Sequence, residues 1–382
     1  MAHATGAAAV DQVAQPAGAV QRRLQLPPTI TLPVIPCSHP LRTHAGYKAI
    51  QEQADAWMLS VLKPSSPEEA DRLVQALYPF VTCSTHVEVE ESLCLVASKY
   101  TAWLFFVDDL LDDLGGGLGR RVAAAKALFQ AIDQTLLTAE ATSQPGSLAA
   151  EIEDWPEKYN VSAAATTVVL EGWWNEMRAN MSAAYQARFR HFLHRFLSAA
   201  SAQVERRQAG LLPDLHTYTA SRRDTICVMP CVVLLECWHG VPYDETVLDC
   251  DLLVELRAAA FDHIGWTNDI HSFKVEYCKG DFHNIVALVW LQQPDAGASD
   301  LQTCVDMVAK MIEQKDREFS RLLHKARACQ SLMATPGMEK YLQGLADWVS
   351  GNFHWNYYTN RYYSGRELKT TRSVDAPLTF YF

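Results

Sequence analysis

From residue 44 onward, apolar residues recur at three- and four-residue spacing in stretches rich in Ala, Leu, Glu and Gln, around 86–113, 120–138, 163–202, 252–276 and 301–327. That period marks helices with one apolar face. Proline and glycine interrupt the pattern at Pro64-Ser65-Ser66-Pro67, 115–119, Gln144-Pro145-Gly146, 210–213, 240–242 and 293–297. Valine-rich alternating strands with tight Asn-Gly turns do not occur, and no repeat is evident. The pattern predicts an all-α fold, about ten helices with short connections in a single large helical bundle. Residues 1–30 read as a flexible low-complexity leader, 31–365 as the helical domain, and 366–382 as a loose polar, Thr-rich tail.

Composition narrows the function classes. The chain has 382 residues, 49% hydrophobic and 20% charged, with a mean hydropathy of −0.09. A net charge of −11 and the absence of a basic stripe exclude nucleic acid as the expected partner. Ten cysteines stand without a CxxC pair or zinc spacing, as buried thiols in a reducing compartment do. No apolar run reaches the roughly 18 residues of a membrane span. The leader lacks a basic start and a continuous apolar core, so it is a poor signal peptide and a cytoplasmic location is the default.

The densest chemistry lies in Asp108-Asp109-Leu110-Leu111-Asp112-Asp113, four carboxylates directly after the apolar run Trp103-Leu104-Phe105-Phe106-Val107. The glycines that follow cannot easily extend a helix, so the acids are expected at a helix C-terminus. The negative pole of the macrodipole disfavours anions there. Asp108 and Asp112 are also one turn apart and repel. Acidic runs alone are more often solvated faces, but such a face is not normally introduced by five large apolar residues. The combination calls for cations, and hard divalent ions with oxygen ligands fit.

A second oxygen-donor set stands at Asn268, Ser272 and Glu276. Steps of four residues drift by only about 40° around a helix, so the three form one polar stripe. An amide oxygen, a hydroxyl and a carboxylate on one side suit Mg²⁺ held together with waters and substrate phosphates.

Taken together, the two motifs resemble those of class I terpene synthases of the microbial, single-α-domain, sesquiterpene-synthase-like type. Asp108-Asp109-x-x-Asp112 resembles the family's Asp-rich motif, and Asn268-Asp269-x-x-x-Ser272-x-x-x-Glu276 its second metal motif, continuing into Gly280-Asp281-x-His283-Asn284. Arg222-Arg223-Asp224-Thr225 is similar to the diphosphate-sensing region, and Trp355-x-x-x-Thr359-x-Arg361-Tyr362 to the terminal Arg-Tyr element. The resemblance spans roughly residues 35 to 363, with the motifs in the family's order.

The resemblance implies a bundle around a central apolar cavity, and ionisation of an allylic prenyl diphosphate followed by cyclisation of the carbocation. Farnesyl diphosphate is the implied substrate and a sesquiterpene hydrocarbon or alcohol the product. It further implies Mg²⁺, three ions in the family, with Mn²⁺ as a substitute. Asp108, Asp112, Asn268, Ser272 and Glu276 would be ligands. Arg222, Arg361 and Tyr362 would contact the diphosphate, and Phe105, Phe106 and Trp355 would wall the cavity. Trp266 is a further aromatic beside the second motif. Monomer and homodimer are both open. A chain-elongating prenyl diphosphate synthase is the alternative, but such relatives carry two Asp-rich motifs. A non-catalytic helical isoprenoid-binding protein is the other.

Some residues depart from the pattern or lean towards packing. Relatives carry a lysine immediately before the glutamate of the second motif, whereas here Val275 stands there and the lysine is Lys274, rotated by about 100° on a helix. Relatives often carry a glycine near Thr225-Ile226-Cys227. Trp173-Trp174 reads as helix packing, Asp249-Cys250-Asp251 lacks the full acid motif of proton-initiated cyclases, and His271 and His283 read as polar partners rather than ligands.

Overall fold

A computed structural model describes residues 26–138, 152, 155–156, 161–293 and 300–382. Residues 1–25, the turn at Gln144-Pro145-Gly146 and residues 294–297 of the last loop lie outside the described residues.

The predicted helices form with their punctuation in place. After a short strand β1 (Thr29–Leu32), α1 (Tyr47–Leu62) leads to α2 (Pro67–Val74), whose N-cap Ser66 accepts from the Glu69 amide. Then come α3 (Tyr78–Thr85), α4 (Glu91–Asp112) and α5 (Val122–Thr138). The stretch expected over 163–202 is two helices, α6 (Ala163–Arg178) and α7 (Ala183–Ala209). Ser182 makes the break: its hydroxyl accepts from the Tyr185 amide and starts a new helix. α8 (Leu215–Thr225) and α9 (Val228–Trp238) are separated by Cys227, a non-glycine residue at φ 54°. The helix therefore still breaks where relatives often use glycine. α10 (Glu245–Leu248), α11 (Asp251–Lys279), α12 (Ile285–Leu291), α13 (Asp300–Ala328), α14 (Gln330–Met333) and α15 (Met338–Tyr358) complete the bundle.

Two terminal expectations are corrected. Residues 29–32, placed partly in the leader, and 378–381, placed in the loose tail, form strands β1 and β2 (Leu378–Tyr381), paired antiparallel with Ile30 opposite Phe380. Alternate residues Ile30, Leu32, Leu378 and Phe380 are buried, so a two-residue apolar period anchors both ends. Gln302 of α13 clamps β1 by exchanging bonds with the Thr31 amide and carbonyl at 2.8 and 2.7 Å.

Apolar packing divides into two large clusters. One is built on α4 to α7 and α9; it holds Trp173 and Trp174 fully buried against Phe189, as packing residues. The other is built on the second half of α11, on α12 and α13, and on the terminal ribbon. A cavity of about 970 Å³, its mouth included, lies between them. Among the described residues, no helix is long and apolar enough to cross a membrane.

Candidate active site at the mouth of the cavity

The acidic run ends α4 as expected: Asp112 is its last residue and Asp113 its C-cap. The glycine-rich segment folds back on the helix end, with the Leu118 amide donating to the Leu110 carbonyl at 2.7 Å. A Cβ on Gly117 would stand 2.4 Å from that carbonyl, so only glycine fits. Asp113 accepts from the Gly115 and Gly116 amides at 3.1 and 2.9 Å, which makes it a brace of this turn. Asp108 and Asp112 line the cavity.

Cations do meet the acids, and guanidinium groups supply them. Arg361 donates to Asp109 at 2.7 Å, to Asp108 at 3.1 Å and to the Tyr78 hydroxyl at 3.2 Å. Arg207, buried at the end of α7, donates to Asp112 at 2.7 Å, to Asp281, and to the Leu111 carbonyl at 3.0 Å. A cation on the last carbonyls of α4 opposes the helix dipole there.

On the other lip, α11 carries the oxygen-donor stripe. The Asn268 carbonyl oxygen accepts from Arg222 at 2.7 Å, and its amide donates to the Tyr362 hydroxyl at 2.7 Å. Glu276 lines the cavity and accepts from the Asn284 amide at 2.8 Å. Ser272, between them in the chain, is buried outside the cavity lining, with its hydroxyl 3.4 Å from the Asp269 carbonyl. α11 stops at Gly280, φ 78°, and α12 starts at the N-cap Asn284, whose side chain accepts from the Val286 amide. That stop-and-start turn carries the Asn284 amide to Glu276 and to the Asp269 carbonyl.

Sequence reasoning missed the residues that organise both lips. Asp269 is buried and accepts from Arg222 at 2.8 Å, the Tyr218 hydroxyl at 2.5 Å and the Ile285 amide at 3.1 Å. Its place beside Asn268 was a signal. Arg207 gave none, because basic residues commonly close helices. His271 and His283 are polar partners as expected, bonded to Tyr363 at 2.7 Å and to Asp281 at 3.0 Å.

The electrostatics explain why cations are needed. Burial, then Asp112, push the Asp108 carboxyl up to about 7, with Arg361 opposing. The side chain is 36% exposed and lines the cavity, so solvent moderates this shift. Burial, then Asp269 and Asp281, push Glu276 up to about 8. Burial would also raise Asp281, but Arg207 and His283 outweigh it and hold the carboxyl below its usual range.

Below this polar rim the wall is apolar: Val81, Leu104, Phe105, Phe196, Ile264 and Trp355. Phe105 stacks on Tyr78 at 4.6 Å, and Trp355 is fixed by its indole bond to the Ala76 carbonyl at 2.9 Å. Phe106 was expected in the wall and is not there. One residue further round the helix, it packs against the α4–α7 cluster. Trp266 is also outside the lining, with Lys315 over its ring at 5.7 Å.

A family model described as terpene synthase family 2, C-terminal metal binding, matches residues 99–318, more than half of the chain. The chain belongs to the terpene synthase family. Alpha-muurolene synthase of Coprinopsis cinerea is 28% identical over 363 residues, covering 88% of this chain and 75% of that protein. Sesquiterpene synthase 1 of Postia placenta is 26% identical over 358 residues, covering 91% and 95%. The germacradien-4-ol synthase structure from Streptomyces citricolor shares the fold, with a TM-score of 0.68 at 18% identity, covering 85% of this chain and 97% of that one. This terpene synthase is thus a cyclase, a lyase with an all-α fold and the family's metal-binding region.

Proposed function

We propose that this terpene synthase binds farnesyl diphosphate with Mg²⁺, ionises it, and cyclises the chain to a sesquiterpene hydrocarbon or alcohol. The observation that carries the reading is the split of one cavity: a rim of acids, amide and guanidinium groups above an aliphatic and aromatic floor. The names of the relatives, sesquiterpene synthases among them, support a fifteen-carbon chain.

The donor set fits a hard divalent ion. Asp108 and Asp112 on one lip and Asn268 and Glu276 on the other offer only oxygen, and Ser272, now on the Asp269 carbonyl outside the lining, would have to turn towards the rim to join them. Among the described residues no three carboxylate, imidazole or thiol side chains converge on one point. Two open half-sets of this kind suit Mg²⁺, which keeps waters and substrate phosphates in its shell. When bound, the ions would supply Lewis-acid neutralisation of the leaving diphosphate.

The chain's own residues do the rest. Arg222, Arg361 and the Tyr362 hydroxyl face the rim and can donate to diphosphate oxygens; guanidinium groups do this bidentately. The carbon–oxygen bond breaks with its electron pair on the diphosphate, and the allylic cation remains over the floor. Phe105 and Trp355 present ring faces or edges that exclude water and attract a cation by roughly 0.5–2 kcal/mol each. Attack by a distal double bond closes the ring, and loss of a proton or capture of water ends the reaction.

The test is turnover of purified protein with Mg²⁺ and ten-, fifteen- and twenty-carbon prenyl diphosphates, reading volatile products and released diphosphate. The fifteen-carbon substrate is expected to give a cyclic product, with activity lost in excess EDTA and restored by Mg²⁺. Chain-lengthened products from added isopentenyl diphosphate would reassign the enzyme as an elongating synthase. Binding without turnover would make it an isoprenoid-binding protein.

A further inference from the structure

Lys274 stands between Ser272 and Glu276 in the chain yet is absent from the cavity wall. Its ammonium donates to Glu367 at 2.5 Å and lies 3.3 Å from the Ser364 hydroxyl. The Glu367 side chain is 1% exposed and that of Lys274 12%, so this is a buried ion pair. The same carboxylate accepts from the Tyr381 amide of β2 at 2.9 Å and from the Ser364 amide at 3.3 Å. One acid therefore ties three elements together: the α11 helix of the second metal motif, the turn that follows Tyr362, and the terminal strand.

Arg361 and Tyr362 sit between two anchors. Upstream, the Thr359 hydroxyl donates to the Ala76 carbonyl at 2.9 Å, and the Asn360 amide to the Gln75 carbonyl at 2.9 Å. Downstream, Tyr363 bonds to His271 of α11, and the Lys274–Glu367 pair closes the turn. We propose that Lys274 and Glu367 are a positioning pair that seats the Arg361-Tyr362 element on the metal-motif helix. In this chain the lysine displaced by one residue does not touch the diphosphate; it sets where two diphosphate donors stand. The proposal rests on the reading of the rim as the diphosphate site. Misplacing such donors by an ångström reduces the chemical step more than ground-state binding.

The experiment measures kcat and KM for farnesyl diphosphate with Mg²⁺, alongside thermal unfolding by circular dichroism. The variants are Lys274→Met, Lys274→Arg, Glu367→Gln and the double Lys274→Met/Val275→Lys. Glu367→Gln keeps one oxygen that can still accept from the Tyr381 amide, gives up the longer bond from the Ser364 amide, and stays informative where Lys274→Met unfolds. At a temperature where each variant is folded, Lys274→Met and Glu367→Gln should lose about tenfold or more in kcat, with a much smaller change in KM. Lys274→Arg should recover most of the loss, and Val275→Lys none of it. Wild-type kcat with only a lowered unfolding temperature would reduce the pair to a structural bridge. Rescue by Val275→Lys would show that the ammonium acts on the diphosphate itself. Either result overturns the proposal, whereas a wild-type enzyme inert towards every prenyl diphosphate would overturn the reading of the rim.

Discussion

Arg361 donates to Asp108 at 3.1 Å although 253 residues separate them in the chain. The same guanidinium lies 5.0 Å over the Phe105 ring. Across the mouth, Arg222 holds Asn268 and Asp269 at 2.7 and 2.8 Å. Each lip thus carries its own guanidinium on the groups proposed to take metal. The arginines and the ions answer the same surplus of negative charge. In the proposed reaction, a diphosphate would give the arginines a second anion and free the carboxylates to take ions, so binding of metal and substrate should be cooperative.

Arg361→Ala should cost about 100-fold or more in kcat/KM, the usual loss when one preorganised donor to a developing anion is removed. Arg361→Lys should recover little, since a point ammonium cannot bridge two acceptors as the fork does. Steady-state diphosphate release checks both. Full activity in the alanine variant would remove Arg361 from the reaction.

Arg207 is a stability element of the site. Its side chain is 4% exposed and ties Asp112 of α4 to Asp281 beyond α11. Arg207→Met would leave two carboxylates facing each other without their cation, a loss of about 3–5 kcal/mol for a broken buried pair. Urea unfolding measures it. An unchanged midpoint would mean that water reaches these acids freely.

Much of this was legible beforehand, for physical reasons. The α4 acids and the α11 stripe are local patterns, and helical period alone places their members on one face. What escaped notice depends on distant contacts. Arg207 meets Asp281 across 74 residues, and nothing local distinguishes a buried last-turn arginine from a solvated one. The β1–β2 ribbon escaped because two alternations in a four-residue strand are too few to set it apart from loop, its partner lies at the other end of the chain, and the threonines of the tail read as polar. Phe105 and Phe106 are neighbours of one type, and only the rotation of α4 assigns one to the cavity.

That rotation makes a paired prediction. Phe105→Leu should change the product distribution, because it removes an aromatic wall of the cavity. Phe106→Leu should leave the distribution as it is and act only on stability, through packing against the α4–α7 cluster. Gas chromatography of the products separates the two. Equal changes from both variants would mean that α4 sits differently about its axis during turnover.

His263 should make a separable contribution to the pH dependence of stability. It is buried on α11, and neither ring nitrogen has a hydrogen-bond partner among the described residues. Burial lowers its pKa from 6.5 to about 4, with Asp316 opposing and His39 adding to the shift. Above 6.5 both folded and unfolded chains hold the ring neutral, so pH has no effect through this group. Between 6.5 and 4 only the unfolded chain takes the proton, and stability drops as pH falls; below 4 the folded chain takes it too. One proton corresponds to about 1.4 kcal/mol per pH unit. Over this window the loss is on the order of 3 kcal/mol. His263→Leu removes the titration along with an unpartnered buried polar group. Between pH 4.5 and 6 the pH slope of its urea-unfolding free energy should therefore be lower than that of the wild type by about one proton. A slope identical to that of the wild type would show that His263 is not held neutral, and that water or a partner reaches the ring inside the bundle.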